Sequence, residues 1–202
     1  MNSVYPDSLE EIINFFKKFP GIGEKSAERM ALAVLDIPLE EIEMASHALL
    51  EAKNKLHPCL VCGNLTDRDI CPICSDETRK KELICVVEDY KSIYAFEKAG
   101  NFKGVYHVLN GLISPIDDIG VDDINLTPLL KRVKEMNHPE LILALKGTIE
   151  GETTTLYINK LFEGQEVKIS RLSYGLPSGA EIDYLDMFTL DKALNDRKII
   201  SE

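Results

Sequence analysis

Four cysteines lie close together in the first half of the chain, with the spacing Cys59-x₂-Cys62-x₈-Cys71-x₂-Cys74. Each Cys-x-x-Cys pair makes a tight turn that points two sulfur atoms at one centre, and four thiolates suit a tetrahedral Zn²⁺. The protein then fills all four coordination positions, so the ion is expected to be structural. The spacing therefore predicts one structural Zn²⁺ per chain.

Two disulfides, or reduced thiols with no role, are the alternatives for these four cysteines. The first residues do not resemble a secretory signal, and disulfides are rare in the cytosol. Zinc in a cytoplasmic protein is therefore the favoured interpretation. His57 could replace one ligand, but four cysteines already complete the site. Cys85 lies in the apolar run 83–87 and is expected to pack as a small buried hydrophobe.

The composition limits the partners that the chain can have. Its 202 residues include 34 acidic and 23 basic side chains, for a net charge of −11 at pH 7. This balance argues against a general binder of polyanions, but a local basic surface is enough to bind DNA. Any DNA contact is therefore expected to be narrow and sensitive to salt. No apolar stretch reaches the length of a membrane span, so no membrane partner is predicted.

Residues 8–55 have helical periodicity, which is interrupted by Pro20-Gly21-Ile22-Gly23. A helix, a short glycine hairpin and a second helix form the helix-hairpin-helix pattern. Gly21 and Gly23 allow the backbone to approach a phosphate closely, and the free N–H groups of the second helix face that anion. The pattern predicts DNA binding without regard to base sequence. One such hairpin binds weakly, so self-association through this module is also expected.

Lys25 and Arg29 are the candidate phosphate contacts of the second helix. They are four residues apart and lie about 160° around the helix from Ala27, at about 100° per residue. The opposite stripe is expected to form the core; it consists of Ala27, Met30, Ala31 and Val34. The alternative is a solvated face in which the two cations pair with Glu24 and Glu28.

After the cysteines, short apolar strands alternate with helices, which predicts a doubly wound α/β domain with a parallel sheet. The predicted strands are 83–87, 105–109, 141–145 and 167–172, and the predicted helices are 92–99, 127–135, 153–162 and a short 189–197.

Acidic side chains follow two of these strands. Glu88 ends the first, and Glu150 and Glu152 follow the third. The carboxyl ends of parallel strands form the ligand crevice of such a sheet. The three residues, here called the acidic rim, are candidates for a partner-docking surface or a weak cation site; a merely solvated edge is the alternative.

The α/β segment resembles the Toprim domain of topoisomerases and primases. Glu88 matches the strand-end Glu of that family, and Glu150-Gly151-Glu152 matches its trailing acids. The Asp-x-Asp that completes its Mg²⁺ site falls on Lys146 and Thr148, and a lysine charge there opposes a metal. We therefore expect a Toprim fold without Toprim catalysis, and no catalytic residue.

Over nearly its full length the chain resembles the RecR family of bacterial recombination mediators. The segments that carry the resemblance are FPGIGEKSAERMAL, CLVCGNLTDRDICPICSD, ICVVEDYKSIYAFEKAG, GVYHVLNGLISPIDDIG, TIEGETTTLYI and the tail motif YGLPSG. The family usually has Asn-Pro-Thr where this chain has Lys146-Gly147-Thr148. The implied organisation is a helix-hairpin-helix module (1–55), a four-cysteine zinc finger (56–80), a Toprim domain (81–175) and a C-terminal assembly segment (176–202).

The resemblance implies a non-enzymatic protein of recombinational DNA repair, associated with the nucleoid. Such proteins assemble into rings, commonly tetramers, that can encircle DNA. They act with RecO-like and RecF-like partners to load recombinase onto single-stranded or gapped DNA. Lys25 and Arg29 match basic positions of the family that contact DNA.

Two other functions remain open from the residues alone. The acidic rim could serve a Mg²⁺-dependent nuclease or topoisomerase-like enzyme, against which Lys146 and Thr148 argue. The chain could also be a pure protein-interaction module whose zinc site only braces the fold. Strand cleavage distinguishes the first alternative, and a lack of DNA binding at any salt concentration distinguishes the second.

Overall fold

The structure is a computed structural model that describes residues 4–173, 175–176 and 178–200. Tyr174 and Pro177 of the tail motif lie outside the described residues. The chain divides into two compact units, Met1–Leu56 and His57–Glu202.

The first unit contains three helices. They are α1 (Asp7–Phe16), α2 (Glu24–Val34) and α3 (Leu39–Lys55). Helices α1 and α2 pack around Ile13, Ala27 and Ala31, and the small alanine side chains let the two helices approach closely. Ile22 of the connecting hairpin packs against the same core.

Two parts of this unit leave apolar side chains exposed. Met30, which the periodicity assigns to the core, is 39% exposed, because the contact between α1 and α2 is narrow and runs through Ala27 and Ala31. Helix α3 has no buried residue along its length. The three helices of a single chain therefore do not use all of their apolar surface.

The second unit begins with the cysteine-rich segment. Strands β1 (His57–Pro58) and β2 (Leu65–Thr66) form an antiparallel hairpin, and the one-turn helix α4 (Pro72–Ser75) follows. Proline suits the first position of α4 because its missing N–H would have no partner there. The hairpin and α4 present the two Cys-x-x-Cys pairs.

A four-stranded parallel sheet forms the body of the second unit, with the strand order β4-β3-β5-β6. The elements are β3 (Lys80–Val87), α5 (Tyr90–Ala99), β4 (Gly104–Val108), α6 (Leu126–Lys134), β5 (Glu140–Ala144), α7 (Ile149–Leu161) and β6 (Lys168–Arg171). A 3₁₀ turn (Ile182–Tyr184) and helix α8 (Met187–Asn195) follow.

Helices cover both faces of this sheet. Ile84 and Val86 of β3 face the core that α6 and α7 cover, whereas Cys85 and Val87 face the core that contains Ile93 of α5. Because both sets of alternate residues are buried, the second half of β3, residues 83–87, is a continuous apolar run. The predicted doubly wound α/β fold is confirmed, and Cys85 is buried in it.

None of the helices in the described part of the chain has the length and apolarity that a membrane span requires.

Candidate DNA interface and zinc centre

The four predicted zinc ligands come together at one point. Their sulfur atoms all lie within 4.8 Å of one another. Cys59, Cys62 and Cys71 are buried and Cys74 is partly buried. The Cys62 and Cys71 sulfur atoms are 3.6 Å apart. A tetrahedral site with Zn–S bonds of about 2.3 Å places its sulfur atoms about 3.8 Å apart, so the cluster fits Zn²⁺.

Backbone N–H groups point at these sulfur atoms. The Asn64 N–H donates to the Cys62 sulfur at 3.4 Å, and the Cys71 N–H donates to the Cys59 sulfur at 3.3 Å. Such hydrogen bonds favour the thiolate, which is the form of cysteine that binds a metal. The turns are therefore shaped to hold charged sulfur, rather than only to bring four cysteines close together.

The sulfur atoms also crowd one another. A hydrogen bond from the Cys62 thiol holds the pKa of Cys71 well below its ordinary value, and the same bond raises the pKa of Cys62. Four adjacent thiolates repel one another unless a cation lies between them. Zn²⁺ supplies that charge. The structure favours zinc over the disulfide alternative, because none of the four cysteines is disulfide-bonded and the Cys62 and Cys71 sulfur atoms are 3.6 Å apart rather than about 2.05 Å.

The zinc segment is bonded directly to the parallel sheet. The Val108 N–H at the end of β4 donates to the Cys62 carbonyl at 2.7 Å. On the other side, the Lys81 ammonium of β3 donates to the Cys74 carbonyl at 2.7 Å. Each Cys-x-x-Cys turn thus accepts a hydrogen bond from a strand of the sheet, so loss of the metal is expected to disturb the sheet as well.

A partly buried charge network, which the sequence does not reveal, lies just after the zinc segment. Arg79 donates to the Glu97 carboxylate of α5 at 3.0 Å and to the Gly104 carbonyl at 3.1 Å. The Tyr106 hydroxyl donates to the same carboxylate at 2.7 Å. Burial raises the pKa of Glu97, but the hydrogen bonds from Arg79 and Tyr106 outweigh it and hold that pKa below its ordinary value. The network joins the zinc segment to α5 and β4.

We expect Arg79→Ala to lower the free energy of unfolding by about 2 kcal/mol, because the Glu97 carboxylate loses its charged donor while it is only 29% exposed. Arg68→Ala, which removes an exposed pair with Asp67, is the control and should cost less than about 0.5 kcal/mol. Urea unfolding measures both. If the two substitutions lowered the free energy of unfolding by the same amount, the charge network would not stabilise the folded chain.

The same network predicts a pH dependence. A carboxyl whose pKa is lower in the folded chain adds stability above its unfolded pKa of about 4.3, and this contribution is lost as the pH falls through the lower folded value. The difference in the free energy of unfolding between the wild type and Arg79→Ala should therefore have its largest value at pH 7 and become smaller as the pH falls below about 4.3. Urea unfolding at several pH values checks this, and a difference that does not change with pH would contradict it.

The glycine hairpin has the geometry expected of an anion site. Gly21 has a φ of +80°, a region that side-chain-bearing residues rarely adopt, and Gly23 is the extended residue immediately before α2. Among the residues that the structure describes, the N–H groups of Gly21 and Gly23 have no acceptor. They lie beside the N-terminus of α2, where the helix dipole favours a negative charge.

Lys25 and Arg29 are exposed on the first two turns of α2. Neither forms an ion pair with any described residue of the chain. Glu24, a predicted partner, instead binds the Lys17 ammonium at 3.2 Å, and Glu28 pairs with no described cation. Among the described residues, the predicted pairing of these two cations with Glu24 and Glu28 is therefore absent, and the assignment of Lys25 and Arg29 to DNA contact stays a prediction.

The acidic rim is not gathered into one cation site. Within the described ranges, Glu88, Glu150 and Glu152 do not form a group of three close ligands. Glu88 pairs with the Lys146 ammonium at 2.8 Å, and this contact raises the pKa of Lys146. A lysine of the chain thus contacts the strand-end carboxylate to which the Toprim family assigns a metal.

The sequence places Glu150-Gly151-Glu152 before the helix, but the structure places them in the first turn of α7. The Thr148 hydroxyl accepts a hydrogen bond from the Gly151 N–H and caps the helix there. Glu152 points back to the C-terminal region, where it pairs with Lys192 at 3.0 Å. The sequence-based prediction starts this helix too late, because Gly151 has a low helix propensity.

Gly151 is required by close packing at this turn. A Cβ atom there would overlap the Lys146 carbonyl oxygen. We expect Gly151→Ala to cost about 2–3 kcal/mol in urea unfolding, because the obstacle is backbone and cannot rotate away. The control Gly120→Ala, whose Cβ would meet its nearest atom at 3.5 Å, should cost less than about 0.5 kcal/mol. A Gly151→Ala variant as stable as this control would contradict the packing argument.

Four family models match successive parts of the chain. The helix-hairpin-helix model of RecR covers residues 9–53, and the four-cysteine zinc finger model of RecR covers residues 56–76. The Toprim domain model covers residues 82–173, and the C-terminal model of RecR covers residues 175–198. Together they span nearly the whole chain in the predicted order.

These matches confirm two predictions from the sequence. The zinc finger match and the four clustered cysteines support a structural Zn²⁺. The hairpin and Toprim matches support DNA binding and a role in DNA repair and recombination. With all four regions present and in order, the chain belongs to the RecR family.

Proposed function

We propose that this protein is a non-enzymatic DNA clamp and adaptor that helps to load recombinase on single-stranded or gapped DNA during recombinational repair. The observation that carries the proposal is the hairpin, where the N–H groups of Gly21 and Gly23 and the cations of Lys25 and Arg29 are side by side, without a partner among the described residues. This surface suits phosphate and has no means of reading bases, so binding is independent of sequence. DNA binding would place the protein at the nucleoid.

Self-association is the second part of the proposal. Helix α3 exposes several large apolar side chains that no described part of its own unit covers; they are Leu39, Met44, Leu49 and Leu50. The C-terminal segment also exposes apolar side chains, which include Ile182, Tyr184, Met187 and Phe188. Two separate apolar surfaces on one chain can join copies into a closed ring, and we propose a tetramer.

A ring makes a distinct prediction about topology. A closed ring that encircles DNA should stay on a nicked circle at high salt, where phosphate contacts alone dissociate. The same ring should slide off when the circle is cut. Equal salt resistance on circular and linear DNA would contradict the clamp, and a monomer by light scattering would contradict the assembly.

The acidic rim is proposed as a docking surface for a basic partner protein, in which the partner's cations would compete with Lys146 for Glu88 and with Lys192 for Glu152. We assign that role to RecO-like and RecF-like proteins. Glu150 is partly exposed, and hydrogen bonding at the helix start lowers its pKa, so it is charged at neutral pH. With these partners, the protein should speed recombinase assembly on gapped DNA coated by single-strand-binding protein. Assembly at the same rate without this protein would contradict the adaptor function.

The enzymatic alternative is a Mg²⁺-dependent nuclease or topoisomerase-like activity that uses the acidic rim. The contact between Lys146 and Glu88 argues against it, because an ammonium group beside the carboxylate competes with a metal. Cleavage of DNA that disappears in Glu88→Gln would establish the enzyme instead of the clamp.

A further inference from the structure

Two aromatic rings are exposed immediately before the glycine hairpin. Phe15, at the end of α1, is 45% exposed, and Phe19 is 46% exposed. Their rings are in edge contact, with centroids 5.4 Å apart and an interplanar angle of 84°. Aromatic side chains are usually among the more buried types, so two adjacent exposed rings need an explanation. We call this pair the aromatic platform.

The platform is held rigidly. Phe16, which packs against the core of the first unit, contacts both rings at 5.8 Å and 6.4 Å. The Phe19 N–H donates to the Phe16 carbonyl at 3.1 Å, and the Phe19 carbonyl accepts the Ile22 N–H at 3.2 Å. These contacts restrict the backbone and one side of each ring, which lowers the conformational entropy that binding would cost.

The platform adjoins the glycine hairpin, because Phe19 directly precedes Pro20-Gly21 and its carbonyl accepts the Ile22 N–H. The ion pair between Lys17 and Glu24 joins the segment between the two rings to the first residue of α2. Lys18, which lies between the rings in sequence, is exposed and has no ion-pair partner in the described part of the chain. The aromatic platform thus has one cation, Lys18, that no described carboxylate neutralises, and such a cation suits a polyanion better than the apolar face of another protein.

We infer that the aromatic platform stacks on an unpaired base, so that the hairpin module favours single-stranded DNA or the edge of a gap over intact duplex. This inference rests on the proposed DNA binding by the hairpin and names the kind of DNA that it prefers. Basic side chains follow the backbone while aromatic rings stack on bases, which is the usual combination in proteins that bind single strands without sequence preference. An intact duplex keeps its base faces inside the stack and cannot offer them.

The test compares three fluorescently labelled DNAs with the full-length protein: an oligothymidylate, a duplex of equal length and a gapped duplex. We expect Phe19→Ala to weaken binding to the oligothymidylate and the gapped duplex about fivefold to twentyfold. Binding to the intact duplex should stay within about twofold. Phe19→Tyr keeps the ring and should restore binding, whereas Phe19→Leu keeps only apolar volume and should not.

Salt dependence separates stacking from phosphate contact. Phe19→Ala should leave the slope of log K against log salt unchanged, because no counterion is released by stacking. The double variant Lys25→Gln/Arg29→Gln should weaken binding to all three DNAs and lower the slope by about 1–2. Circular dichroism checks that every variant is folded.

The possible failures are distinguishable. If Lys25→Gln/Arg29→Gln weakens binding and Phe19→Ala does not, the platform is refuted and the proposed function stands. Equal losses on all three DNAs, together with a lower oligomeric mass, would assign the two rings to the subunit interface and overturn the inference. If the wild type binds none of the DNAs, both proposals fail.

Discussion

We expect Lys25→Glu/Arg29→Glu to lose at least about a hundredfold in affinity for gapped DNA while the protein stays folded and assembled. Hydrogen bonds to charged groups are each worth about 1.5–3 kcal/mol, and the double variant removes two cations and adds two anions. Neither side chain has an ion-pair partner among the described residues, and both are exposed, so folding should not depend on them. Fluorescence anisotropy measures the affinity, and light scattering measures the assembly.

The control for this variant changes the charge by the same amount elsewhere. Lys53→Glu/Lys98→Glu replaces two other exposed lysines, on α3 and α5. If DNA were attracted only by overall charge, both double variants would lose affinity alike. We expect the control to bind within about threefold of the wild type, because the proposal assigns the phosphate contacts to Lys25 and Arg29 and gives these two lysines no contact with DNA. Unchanged binding by Lys25→Glu/Arg29→Glu would refute the assignment.

The second large effect is expected from Cys59→Ser. This variant should lose most of its zinc and several kcal/mol of stability, because structural zinc binding is worth about 10–16 kcal/mol at pH 7 in zinc-finger peptides. The loss should reach the sheet, since the Cys62 carbonyl accepts a hydrogen bond from Val108 of β4. Atomic absorption gives the zinc content, and urea unfolding gives the stability.

Cys85→Ala is the matched control for the zinc variant. Cys85 is also a buried cysteine, but it lies in β3 and outside the sulfur cluster. Burial alone raises the pKa of its thiol to about 12, which suits an inert packing residue and not a metal ligand. Its replacement should leave the zinc content unchanged. If Cys59→Ser contained no zinc and still unfolded at the same urea concentration as the zinc-loaded wild type, the ion would have no structural role.

Much of this molecule can be predicted from the sequence because its signals are local. The spacing of the cysteines identifies the sulfur cluster, and short apolar strands that alternate with helices identify the parallel sheet. Helical periodicity alone places Lys25 and Arg29 on the exposed side of α2. The same periodicity misplaces Met30, since it cannot show how narrow the contact between α1 and α2 is.

Contacts between residues far apart in sequence cannot be predicted in this way. Arg79 and Glu97 are separated by 18 positions, and Lys146 and Glu88 by 58, so no spacing rule joins them. The start of α7 escapes a sequence-based prediction because Gly151 looks like a loop residue until the Thr148 cap and the nearby Lys146 carbonyl are seen.

The exposure of Phe15 and Phe19 is hidden for a different reason. Phenylalanine in a helical pattern normally indicates core, so neither ring stands out in the sequence. Helical spacing already groups Ile13 and Phe16 with the apolar stripe, but only the packing of α1 against α2 shows how exposed the other two rings are.

The most informative measurement is a titration of the full-length protein onto end-labelled gapped DNA at low salt with Mg²⁺, scored for both mobility shift and strand cleavage. A clamp without catalysis should shift the DNA and leave both strands intact. Cleavage that is lost in Glu88→Gln would contradict it, and so would the absence of any shift at protein concentrations well above the DNA concentration.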